Sequence, residues 1–195
     1  MLNAFVTLAM RTLTDTRAVA QELLDMRISR PVLWLALALA VVLNALIYNV
    51  SLVLSPPAGP LPMLFASPLI FAMLIGGGLV LSIFATTYAG RALGGKATLE
   101  GIMTLLVWLQ FLRFAVQIVS FVLMPIMPGL VAVLVLSASL YGIWLLLQFV
   151  DVAHEFNSLF VAFGALMLSG LAIMIGLAII LSMLGIQNMG LIPNV

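Results

Sequence analysis

The sequence predicts an all-α polytopic membrane protein, with five transmembrane helices behind an N-terminal amphipathic helix. Three observations carry this. First, 65% of the 195 residues are hydrophobic and only 7% are charged, seven Lys+Arg against six Asp+Glu. A soluble domain is ordinarily about 25% charged, so a water-facing surface cannot be built from these residues. Second, five apolar runs are long enough for a helix to cross a hydrocarbon core about 30 Å thick, which takes roughly 20 residues. They lie near 32–54, 69–88, 102–124, 129–149 and 158–184. Third, basic residues flank these runs in alternate connectors only. The runs are continuously apolar, which excludes a disordered chain and the alternating strands of a membrane barrel.

Residues 1–30 form a cytoplasmic amphipathic helical segment. At about 100° per residue, Leu2, Phe5, Val6, Ala9, Leu13, Ala20, Leu23 and Leu24 share one face, and Thr7, Arg11, Thr14, Asp15, Gln21, Glu22 and Asp25 the other. Capping residues cluster at Thr14–Thr16 and offer a break point. Two readings stand: a surface helix that meets lipid or a partner, and a lead-in helix packed on the bundle.

Residues 31–195 form the five-helix transmembrane domain. Pro31 sits in the first turn of span one, where its missing N–H costs nothing. The proline-rich connector at 55–68 is stiff and uncharged. Gly90, Gly94 and Gly95 open the connector after span two, and Pro125 and Pro128 bound a very short turn between spans three and four. Gly76, Gly77 and Gly78, and the series Ala165, Ser169, Ala172 and Gly176, allow close helix approach.

Orientation follows from charge. Arg11, Arg17, Arg27 and Arg30 precede span one, and Arg91 and Lys96 lie between spans two and three. The connectors at 55–68 and 125–128 carry no charge, nor does the tail from Gln187. The excess of basic residues marks the cytoplasmic side, so the N-terminus is inside and the C-terminus outside. Asp15, Glu22 and Asp25 precede span one, and that span is too long for a cleavable signal. It is expected to act as an uncleaved anchor.

A net charge of +1 carries no nucleic-acid footprint, and the absence of cysteine excludes disulfides and thiol chemistry. Phosphate-loop, zinc-protease and nucleophile-elbow motifs are missing. Neither an enzyme nor a cofactor is expected.

Two polar groups are candidate sites. Arg113 lies in the middle of span three, with Gln110, Gln117 and Ser120 on its face and Asn44 at similar depth in span one. A mid-depth arginine marks a site for an anionic substrate or lipid headgroup, or staples helices through neutral acceptors or to another subunit. It is expected to face inward. Asp151, His154 and Glu155 follow span four at a spacing that shares a helix face if the helix continues. They read as a metal site or proton switch, or as a hydrated helix end facing the cytoplasm.

The layout resembles the YIP family of Ypt/Rab-interacting multi-spanning proteins, in its bacterial branch. The likeness rests on the cytoplasmic lead-in, five spans, the turn Gly94-Gly95-Lys96-Ala97-Thr98, and His154-Glu155-Phe156-Asn157-Ser158-Leu159 leading into span five. In its eukaryotic branch the family implies membrane-traffic roles and binding of prenylated small GTPases. This chain lacks that branch's Asp-Leu-Tyr-Gly-Pro stretch and acidic tail, so GTPase binding is not expected. The resemblance implies a non-enzymatic membrane protein whose partners are lipids, other membrane proteins or further copies of itself. The alternative is a small transporter or lipid-handling protein built around Arg113.

Overall fold

A computed structural model describes residues 2–54 and 67–183. The proline-rich connector and the C-terminal tail of the sequence reading lie outside the described residues. Seven helices run in order among the described residues: α1 (Leu2–Thr14), α2 (Thr16–Asp25), α3 (Arg30–Leu54), α4 (Pro68–Ala92), α5 (Leu99–Leu123), α6 (Pro128–His154) and α7 (Leu159–Met183). From α3 onward, all five are long and apolar enough to cross a membrane.

Local chemistry sets the boundaries. Asp15 breaks α1 from α2 and caps α2, its carboxylate accepting from the Ala18 N–H at 3.3 Å. Pro68 and Pro128 open α4 and α6, where no intrahelical donor is lost. Only 124–127 separate α5 from α6, as the paired prolines predicted. Gly94 adopts φ +89° just past α4, a conformation that favours glycine. Gly90 lies inside the last turn of α4 rather than in the connector.

Burial is uneven along the helices. It concentrates at the start of α3 (Leu33 to Ala45), the end of α4 (Ile83 to Gly90), the start of α5 (Ile102 to Gln110), the end of α6 (Leu145 to His154) and the start of α7 (Ala162 to Ser169). Those five segments form one end of an antiparallel bundle. There α2 seats Val19, Ala20 and Leu23 against Leu105 and Trp108 of α5 and Phe149 of α6. The opposite halves are open: Val53, Leu69, Met73, Val122, Val133, Leu136 and Met174 are exposed. In lipid this costs little, because acyl chains are as apolar as leucine. Tyr48 and Phe71 join α3 to α4 in that open half, with ring centroids 3.9 Å apart.

Of the small-residue stripes, Ala165 and Ser169 are buried. A methyl added at Gly76 would meet Val41 at 3.5 Å, whereas Gly77, Gly78 and Gly176 face open space. Close approach therefore involves part of each stripe only.

Candidate functional site

The packed end gathers the charges. Asp151, in the last turn of α6, is 1% exposed. A carboxylate there opposes the helix dipole and needs partners. Arg17 of α2 supplies the charge through its Nη2, and the Ser158 N–H donates to the other carboxylate oxygen at 2.8 Å. Arg17 also donates from Nε to Gln148 Oε1 at 2.8 Å, so one guanidinium grips α6 at two positions a turn apart. A half-open cleft of about 300 Å³ adjoins this pair, lined by Arg17, Gln21, Asp151, Val152, Glu155 and Asn157.

His154 is equally buried at 1%. Its Nδ1 lies 3.1 Å from the Val150 carbonyl, which only accepts, so Nδ1 carries the proton. The ring stacks on Phe156 at 5.0 Å and is enclosed by two glycines. A Cβ at Gly90 would lie 2.0 Å from Nε2, and one at Gly95 would lie 2.4 Å from Cδ2. The Lys96 N–H donates to the His154 carbonyl at 3.1 Å, tying the connector after α4 to the end of α6.

Two expectations for this corner change. The helix ends at His154, and Glu155 turns to φ 58°, so Glu155 does not share the face of Asp151 and His154. Nor is the corner a hydrated helix end, since Asp151 and His154 are enclosed by α2, Gly90 and Gly95. Glu155 instead meets Lys96 at 2.9 Å. Its hydrogen bond and charge hold the Lys96 ammonium above the usual lysine range. Among the described residues, no three His, Cys, Asp or Glu are placed to hold a metal ion.

Further contacts tie the N-terminal helices down. The Trp108 indole N–H donates to the buried Thr12 hydroxyl at 3.1 Å, and the Tyr141 hydroxyl donates to the Leu13 carbonyl at 2.8 Å. Arg30 pairs with Glu100, and Arg91 donates to the Ala97 carbonyl at 2.9 Å. Sequence reasoning missed Arg17, Gln148, Thr12 and Trp108 as partners. It read Gly90 and Gly95 as connector residues, not as a cradle. The buildup of basic residues beside this connector was the only signal.

The second candidate group is not assembled as expected. Asn44 is buried but donates to its own helix, at Ala40 O, 2.7 Å. Gln110 is buried, and Gln117 Oε1 and Ser120 Oγ are buried without a hydrogen-bond partner among the described residues. Arg113 is exposed, not turned inward. The physical reason is the opening of the bundle beyond Gln110. On this flank of α5 the Arg113 side chain is left uncovered, while Gln117 Oε1 and Ser120 Oγ further along are covered. At a helix centre an arginine costs about 2.5–3.5 kcal/mol on insertion scales, so its exposure is a substantive departure.

The Yip1 domain profile matches residues 10–181. Comparison with curated proteins and with solved structures finds no match. The profile takes in the last five residues of α1, all of α2 to α6 and nearly all of α7, and so includes Arg17, Gly90, Gly95, Asp151 and His154. The chain belongs to the Yip1 domain family of multi-spanning membrane proteins.

Proposed function

We propose that this protein works without catalysis, through contacts with lipids and with other membrane proteins. It sits in a bacterial inner membrane. Segment 1–30 lies on the cytoplasmic surface, residues 31–195 span the bilayer, and the C-terminus is outside. Small-GTPase binding is not part of the proposal.

The observation that carries this reading is the three-sided character of α1. Phe5, Leu8 and Ala9 pack on the bundle. Val6, Met10 and Leu13 form an exposed apolar stripe, with Met10 at 61%. Thr7, Arg11 and Thr14 make a third, polar side. A helix with one protein face, one apolar face and one polar face fits the boundary between headgroups and acyl chains. The Thr12 and Leu13 contacts hold it in a set orientation against α5 and α6.

Spin labels placed singly at Met10 and Arg11 in reconstituted vesicles test this. The Met10 label is expected to be relaxed by oxygen, which partitions into lipid, and the Arg11 label by a water-soluble nickel chelate. Equal access of the nickel chelate to both labels overturns the reading.

A further inference from the structure

Arg113 stands 13 residues beyond Glu100 on α5, about 20 Å along the helix axis. It is exposed and makes no hydrogen bond or ion pair among the described residues. Gln117 and Ser120 lie within about 60° of it on the same helix. Both hold a buried polar atom without a partner. The Ser120 case is specific. Ser82, Thr87, Thr104 and Ser139 each donate to the carbonyl four residues earlier, at 2.7–2.8 Å, and Ser120 does not. Leu109, Val116 and Met124 complete this side of α5, and none of them is fully buried.

The chain holds no acid to answer this strip. Its Asp and Glu residues are Asp15, Glu22, Asp25, Glu100, Asp151 and Glu155. All belong to α1–α2, the first turn of α5, or the α6–α7 corner, and so to the packed end. A second copy docked symmetrically would bring arginine to arginine. The missing group has to come from a different molecule.

We propose that the exposed Arg113, on the stripe it shares with Gln117 and Ser120, is the docking point for a transmembrane helix of another protein that carries a carboxylate near mid-depth. The guanidinium supplies a planar donor fork for the carboxylate. Arg113 is exposed, so a helix can reach it, and Val116 and Ser120 keep part of this side of α5 slim. The inference rests on α5 spanning the membrane and is independent of where α1 lies.

The test uses the full chain in phosphatidylcholine vesicles with a labelled leucine-rich transmembrane peptide bearing one central Glu. A peptide with Gln at that position is the control, and association is read by energy transfer. The Glu peptide is expected to associate about tenfold more tightly than the Gln peptide. Arg113→Leu should remove that preference, and Arg113→Glu should transfer it to a peptide with a central Lys. Equal association of the Glu and Gln peptides with the unaltered protein overturns the proposal, as does a Glu preference that survives Arg113→Leu. Vesicles enriched in phosphatidylglycerol form the last arm. Loss of the Glu preference there, with Arg113-dependent retention of that lipid, assigns the docking point to a lipid phosphate and also overturns the proposal.

Discussion

Arg17 on α2 pairs with the buried carboxylate of Asp151 on α6, 134 residues further along the chain. This contact, with the Gln148 bond, anchors a helix that does not cross the bundle. Removing the arginine strands an anion in a site where Ser158 is its other partner. Breaking a buried pair from one side costs about 3–5 kcal/mol. Arg17 is 49% exposed, which lowers the expectation to the bottom of that range or below it. Arg17→Ala should therefore lower the melting temperature in detergent. Arg17→Ala with Asp151→Asn should recover much of the loss, because the amide oxygen still accepts from Ser158. Equal melting of the single and double variants would show that the ion pair is not the cause.

Gly90→Ala is expected to destabilise through a collision, since the new methyl would sit 2.0 Å from His154 Nε2. Overpacking of this kind costs about 1–3 kcal/mol or more. Paired with His154→Ala, the same methyl gains space, so the two changes should couple favourably by at least about 0.5 kcal/mol. A double-mutant cycle from thermal melts measures this. Strict additivity would mean that the ring does not fill the glycine cradle.

Thr12→Val should loosen α1 without disturbing the spans. The buried Trp108 N–H would lose its acceptor, at a cost of about 1–3 kcal/mol. Hydrogen exchange should accelerate across Leu2–Thr14 and remain unchanged in α7. Trp108→Phe, which removes the donor but keeps an aromatic ring beside Phe5, should be milder than Trp108→Ala. Unaltered exchange in α1 after Thr12→Val would count against this anchor.

Topology can be read directly. With basic residues confined to the N-terminal segment and the α4–α5 connector, apart from Arg113, a reporter fused after Leu93 should be active in the cytoplasm. A reporter fused after Val195 should be active outside. Cytoplasmic activity at Val195 would reverse the proposed orientation.

Much of the fold was legible because its signals are local. Bilayer thickness sets the length of an apolar run, and the five runs match α3 to α7 to within a few residues at each end. Proline marked the starts of α4 and α6, and the cluster at Thr14–Thr16 marked the break between α1 and α2. The chief shift is at α6, where the helix continues past Phe149 to His154 and carries Asp151 and His154 into the packed end.

The sequence by itself determined the helices, the five among them long and apolar enough to cross a membrane, the common end of the charged connectors and the resemblance that the Yip1 domain match bears out. Only the tertiary structure decided which side of each helix is covered. Helical spacing places Arg113, Gln117 and Ser120 on one stripe, but spacing cannot say whether a neighbour lies opposite that stripe. That depends on where the bundle closes, and it closes around Asp151 and His154 and opens beyond Gln110. Arg17 meets Asp151, and Gly90 meets the His154 ring, through contacts between distant segments that no local periodicity encodes. Hydropathy selects the solvent for each helix; packing against particular neighbours selects its rotation.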